Sequence, residues 1–188
     1  MHCRWLISAM VLALVASQPA QACRMPARTV LADVQYADAV VVGRVVGYTI
    51  VRNREFRRRM LQARELPDDL RKIYADPNST LIGDYARFDV LVGEVLAGRA
   101  PRTLRVTWSN STFGLPKSLP RGPMLIALAG PGGKRPPLRG PSATIVPNRE
   151  PGLPTVLQAP CASPLMFAAT SAEARAVRRI LKSRRRAL

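Results

Sequence analysis

The chain has 188 residues, with 29 lysines and arginines against 12 carboxylates, a formal net charge of +17 and one histidine. This length is sufficient for one domain with a buried core, and no internal repeat indicates a second domain. The charge favours contact with anionic partners. The scarcity of histidine excludes most sites that need an imidazole to move a proton or to bind a metal.

Residues 1–22 have the layout of a cleavable export signal. Arg4 precedes an apolar run of about 12 residues, and Ala20 and Ala22 form a small-x-small cleavage site. A membrane-spanning helix needs roughly 20 apolar residues, so an uncleaved anchor is disfavoured. Cleavage would also remove His2, the one histidine. We therefore expect a periplasmic or secreted protein with no transmembrane segment in the mature chain, no catalytic role, no cofactor and no metal.

Two cysteines, Cys23 and Cys161, would remain after cleavage. In an oxidising compartment an even pair predicts a disulfide. Its loop of about 140 residues corresponds to a stabilisation of up to about 5 kcal/mol. Lipid attachment at Cys23 is the alternative. Such sites usually have leucine three positions before the cysteine, where this chain has Ala20. Lipidation would also consume the thiol that the pair needs, so we favour the disulfide.

The expected domain begins with a short helix over residues 29–36. The β-branched run at residues 39–51 then predicts a long strand. Gly43 and Gly47 indicate bulges or sharp coiling within that strand, because glycine inside a strand weakens regular pairing.

Residues 52–83 interrupt the β pattern. Apolar residues recur at helical spacing among arginines, and Pro67 ends this first helix. Asp68 and Asp69 can begin a second helix, since carboxylates favour a helix N-terminus. The pattern predicts a basic helical insertion between two strands.

Apolar residues in alternating or continuous patterns predict four further strands: residues 84–96, 103–108, 124–129 and 155–157. The Gly- and Pro-rich segment 130–154 is expected to be a long loop with one short strand at 145–146. About five strands with turn signals and one end helix predict a small β-barrel or sandwich.

Residues 171–188 are predicted to form a basic C-terminal helix and tail. Thr170 and Glu173 have the spacing of a capping box. The expected apolar stripe consists of Ala176, Val177, Ile180 and Leu181. The last arginines, residues 184–186, are expected to fray.

The order of several motifs resembles the netrin-like/TIMP-like family, which includes the tissue inhibitors of metalloproteinases and bacterial exported proteins. The motifs are ADAVVVGRV at 37–45, FDVLVGEVLAG at 88–98, LIAL at 125–128 and the late Cys161 before Ser-Pro-Leu. The resemblance implies a mainly β fold over residues 23–170. We expect a five- to six-stranded OB-like barrel with a short N-terminal helix, the insertion 52–83 and a C-terminal helix. The chain departs from the family at Met25, which replaces the second cysteine of a Cys-x-Cys start.

The function expected from charge and resemblance is a non-catalytic binding module. An acidic protein, a glycan or an anionic membrane surface would suit an exported protein, whereas nucleic acid is not expected. The residues predicted to contact the partner form two basic clusters: Arg52, Arg54, Arg57, Arg58 and Arg59, then Arg175, Arg178, Arg179 and Lys182.

Metalloproteinase inhibition is the alternative function that the resemblance implies. In that family the free amine and carbonyl of the first cysteine chelate the protease zinc, and Cys23 would take that role here. Arg24 stands where those inhibitors have a small residue, which disfavours this function.

Overall fold

The computed structural model describes residues 28–81, 83–109, 115–137 and 147–186, and the predicted export signal and Cys23 lie outside these ranges. The elements in chain order are a 3₁₀ helix Leu31–Tyr36, β1 Ala39–Val51, α1 Arg54–Gln62, α2 Asp68–Ala75, β2 Tyr85–Ala97, β3 Thr103–Ser109, β4 Pro123–Ala129, β5 Thr155–Val156, β6 Met166–Ala168 and α3 Ala172–Arg186.

Five strands close into a barrel in the order β1-β2-β3-β5-β4, because β1 also pairs with β4. β6 adds to β4 outside this ring, and β3 and β5 form a parallel pair. The prediction of a mainly β, OB-like barrel is confirmed. Closure matters physically because it gives each barrel strand partners along its edges.

β1 is bulged at Gly47, as predicted, whereas at Gly43 the extra residue of the register shift is Gly93 on β2. Its register with β2 shifts between Val42 and Gly43 and again between Val46 and Thr49. Gly47 has φ +63°, and a Cβ added at Gly43 would lie 2.5 Å from the carbonyl oxygen of Leu91. Gly43 therefore permits the close approach of β2, and the bulge at Gly47 bends β1 beyond the segment that pairs with β4.

The continuous apolar sequence of β4 is explained by burial on both of its faces. Met124, Ile126 and Leu128 point into the barrel core with Phe88. Leu125, Ala127 and Ala129 belong to a second core outside the barrel wall, covered by the 3₁₀ helix and α3. An alternating pattern would have placed polar groups in one of these two cores.

α3 packs on this outer core through Ala174, Val177 and Leu181. The predicted stripe began at Ala176, which is only half-buried, so the stripe was wrong at its N-terminal end. The helix is capped by Ser171, whose Oγ accepts a hydrogen bond from the Ala174 amide at 3.1 Å, rather than by Thr170. The helix continues to Arg186, where fraying was expected.

Other boundaries differ only slightly from expectation. The predicted first helix is a 3₁₀ helix that begins at Leu31. The strand expected at 145–146 lies outside the described residues. β6 was not predicted, because three residues are too few to show a period; it forms through antiparallel pairing with β4.

The end of the Pro-rich loop is tied to the barrel by polar side chains. Asn148 Oδ1 accepts a hydrogen bond from Thr107 Oγ1 at 3.0 Å, and Glu150 Oε1 accepts one from the Tyr85 hydroxyl at 2.8 Å. Burial, followed by this bond to Glu150, raises the pKa of Tyr85. The loop therefore returns along the outside of β2 and β3 before it enters β5.

The helical insertion is attached to the barrel through one buried carboxylate, Asp84, which is 1% exposed. Its Oδ1 accepts from the Asn53 amide at 2.8 Å, and its Oδ2 accepts from the Leu81 amide at 2.9 Å. Oδ2 also forms a 2.8 Å ion pair with Arg57 Nη2. Asp84 thus joins the start of the insertion, its end and helix α1.

The substitution Asp84→Asn should destabilise this attachment, because it leaves the buried Arg57 cation without its counter-charge. We expect a loss of about 3–5 kcal/mol in unfolding free energy, measured by urea denaturation. Asp89→Asn is the matched control, since Asp89 pairs with Arg105 at the surface and its loss should matter little. Equal effects of the two substitutions would contradict the role given to Asp84.

Candidate functional site

The two predicted basic clusters lie at opposite ends of the β1–β2 hairpin. The insertion joins it where Val51 pairs with Tyr85, whereas α3 contacts it at Glu94 and Leu96. Ten strand residues separate these two ends, which corresponds to about 30 Å. The clusters therefore form two separate surfaces.

Two arginines of the insertion serve the fold. The side chain of Arg57 is 11% exposed and donates to the Ser79 carbonyl at 2.6 Å as well as to Asp84. Arg52 donates to the same carbonyl at 2.9 Å. Because these guanidinium groups bind backbone oxygens and a buried carboxylate, we leave both residues out of the proposed contact set.

The insertion is also less basic than its arginines suggest. Residues 52–83 contain eight cations and five carboxylates. Arg71 is another internal donor, since it binds the Leu61 carbonyl at the end of α1 at 2.9 Å. The exposed arginines predicted to bind a partner here are Arg54, Arg58 and Arg59.

α3 carries a denser positive charge, with seven cations and one carboxylate over Ala172–Arg186. Its apolar side is buried against the barrel wall, so the cations lie on its remaining faces. Arg175, Arg179 and Lys182, all predicted contact residues, are exposed. Packing of the helix fixes the positions from which these side chains extend.

A shallow groove of ≈ 320 Å³ lies between α3 and the end of β2. Its apolar lining is Val95, Leu96 and Leu181, and its charged lining is Glu94, Arg178, Lys182 and Arg185. Within the part of the chain that the structure describes, this groove is where the C-terminal cluster meets exposed apolar surface.

One cation of the groove, Arg178, already forms an ion pair with Glu94. Arg178 binds it with two parallel hydrogen bonds, at 3.0 Å and 2.8 Å. Hydrogen bonding between the two side chains lowers the pKa of Glu94 and raises the pKa of Arg178. Arg185 donates to the Leu96 carbonyl. Lys182 is four residues after Arg178 and three before Arg185, so it lies between them on one side of the helix.

Sequence reasoning identified Arg178 and Lys182 but missed Glu94, Val95, Leu96 and Arg185. The β2 residues are more than 80 positions from Arg178, Lys182 and Arg185, and no local sequence pattern reveals a contact over that separation. Arg185 could have been found from its spacing to Arg178, since seven residues return to the same face of a helix.

The two acidic side chains of β2, Asp89 and Glu94, are each paired with an arginine. Asp89 binds Arg105 at 2.9 Å, and this hydrogen bond lowers the pKa of Asp89. In residues 28–81, 83–109, 115–137 and 147–186, no group of three His, Cys, Asp or Glu side chains could hold a metal ion. None of the helices within these ranges is both long and apolar enough to cross a membrane.

The prediction for Cys23 falls outside the described residues. Its pairing with Cys161, its lipidation and its zinc-chelating role therefore stay predictions. Cys161 itself is buried, with φ +63°.

Comparison with protein-family models, curated proteins and solved structures found no match to this chain.

The ion pair in the groove predicts that Glu94→Gln will strengthen anion binding, because it leaves Arg178 with at most a weaker, neutral hydrogen bond and removes a repulsive charge. We expect the variant to elute from a heparin column at higher salt than the unmodified chain. Asp89→Asn makes the same change in net charge about 17 Å along β2 and is the control. If both variants elute together, the gain comes from net charge and the groove has no special role.

Proposed function

We propose that this chain is an exported, non-catalytic binding module that contacts an anionic partner through α3. The observation that carries the proposal is the excess of seven cations over one carboxylate on a helix whose apolar side is anchored to the barrel. A helix that is already anchored presents its positive charges to anionic ligands and loses less backbone freedom on binding than a mobile tail would.

The environment of the carboxylates supports a non-catalytic role. Asp84, Asp89 and Glu94 are each ion-paired with an arginine. For Asp89 and Glu94 the hydrogen bond from arginine lowers the pKa, which favours the ionised form. A general acid working near neutral pH needs the opposite shift.

α3 is favoured over the insertion as the contact surface. In the insertion, Arg52, Arg57 and Arg71 are used internally, and carboxylates offset much of the remaining charge. On α3, Arg178 pairs with Glu94, but Arg179 and Lys182 extend from exposed positions.

Charge reversal distinguishes the two surfaces. We expect Lys182→Glu to weaken heparin or polyglutamate binding by about tenfold at low salt, because two charge units change beside the ligand. Arg58→Glu makes the same charge change on the insertion and should weaken binding less than about twofold. Isothermal titration in about 50 mM salt measures both.

Two outcomes of that titration contradict the proposal. Equal losses of affinity in both variants would show that binding depends on the net charge of the chain and not on α3. Absence of binding by the unmodified chain at low salt would remove the anionic partner altogether, since screening is weakest there.

We also propose export, a Cys23–Cys161 disulfide and membership of the TIMP-like family. Leu157 and Leu165, which flank Cys161 in the chain, share the outer core with Val34 of the 3₁₀ helix. Cys23 is eight residues before Leu31, a distance that extended chain covers at roughly 26 Å. Because the 3₁₀ helix and the Cys161 loop share this core, an extended segment from Leu31 back to Cys23 would be long enough for the proposed disulfide.

Intact mass spectrometry of protein purified from its native host tests the export and disulfide assignments together. We expect a chain that begins at Cys23 and is lighter than its reduced form by two hydrogens. A retained leader would contradict cleavage, and a lipid adduct on Cys23 would contradict the disulfide.

A further inference from the structure

The groove beside α3 combines positive charge with apolar surface, which narrows the class of partner. Val95 is 38% exposed at its edge, and Leu96 and Leu181 complete the apolar lining. Lys182 and Arg185 provide the adjacent charge. A ligand that fills the groove well must therefore offer both an apolar group and anionic groups a few ångströms apart.

A membrane surface would use the positive charge of this region but not its apolar surface. Amphipathic helices that lie in a bilayer insert an exposed apolar face. In α3 the apolar residues Val177 and Leu181 are buried in the outer core, and Ile180 is half-buried. The outer side of α3 could bind lipid head groups by charge, but it has no large exposed apolar side chain to insert.

A sulfated or carboxylated glycan would likewise leave Val95 uncovered, because its anionic surface is polar throughout. A polypeptide can supply carboxylates and an apolar side chain in one short segment. The groove volume of ≈ 320 Å³ is at the lower end of ligand pockets, which suits one or two side chains.

The backbone of β2 next to the groove disfavours the addition of a peptide as a further strand. Its pairing with β3 ends at Leu91, so residues 94–96 are beyond that strand. Register shifts on both sides of Val41 and Val42 make β2 irregular here, and Arg185 binds the Leu96 carbonyl. Bulges and a covered carbonyl block an incoming strand. A peptide would therefore be recognised through its side chains.

We propose that the groove binds an acidic segment of a partner protein, with an apolar side chain against Val95 and carboxylates at Lys182 and Arg185. This proposal rests on the anionic-partner function above. It adds the chemical class of the partner and the residues that distinguish it from other polyanions.

Two synthetic peptides of equal charge test the proposal directly. One is a ten-residue glutamate-rich peptide with two leucines, and the other has serine in place of both leucines. We expect the leucine peptide to bind the full chain about fivefold more tightly, because it buries apolar area in the groove. Titration at low salt, with heparin and phosphatidylglycerol vesicles as further probes, gives the affinities.

Matched variants locate the effect. Val95→Ser should abolish the difference between the peptides, whereas Val46→Ser should preserve it, since Val46 is 40% exposed but lies elsewhere on β1. Lys182→Met should weaken both peptides alike. All three positions are solvent-exposed, so the variants should keep the unmodified thermal midpoint.

The outcomes separate this proposal from the function on which it rests. Equal binding of both peptides, or no effect of Val95→Ser, overturns the peptide assignment while anionic binding stands. Tighter binding to heparin or to vesicles than to the leucine peptide also overturns it and assigns the partner to that class. If no anionic probe binds at low salt, both proposals fail.

Discussion

The candidate site depends on the packing of α3 against the outer face of β4. Ala174, Val177 and Leu181 meet Leu125 and Ala127 in a core outside the barrel. Burying a side chain the size of valine or leucine is worth about 1.5–3 kcal/mol, so these few contacts hold the helix firmly. β4 can provide this surface only because its other face fills the barrel. The burial of both faces of β4 therefore positions the basic side chains of α3, the groove and the 3₁₀ helix.

Arginine has two different roles in this chain, and burial determines which one each residue takes. Arg57 is enclosed with Asp84 and backbone carbonyls, to which its two terminal nitrogens donate. Arg179 on α3 is exposed and contributes to the positive potential of the surface. Arg178 is intermediate, since it pairs with Glu94 at the rim of the groove. Net charge alone therefore overstates the charge available to a partner.

Local patterns predicted most of the barrel. β1 was placed correctly from its β-branched run, and its bulge at Gly47 followed from glycine in a strand, whereas the shift beside Gly43 belongs to β2. Asp68 was correctly expected to begin a helix. β6 and the cap at Ser171 were missed, because a three-residue strand has no period and neighbouring hydroxyls compete for one cap position. The prediction of a binding surface on α3 identified its cations, but Glu94 and Val95 lie too far away in sequence to be associated with them.

The amino-acid sequence by itself determined the class of fold, the positions of its strands and the basic character of its last helix, because these depend on short-range periodicity and composition. It also contains a pattern that is typical of an export signal. Only the tertiary structure decided that the two basic clusters lie at opposite ends of the β1–β2 hairpin, that Arg57 belongs to the fold, and that Val95 meets Lys182 and Arg185 in one groove. The physical reason is barrel closure, which joins residues distant in sequence through pairing that no local pattern encodes.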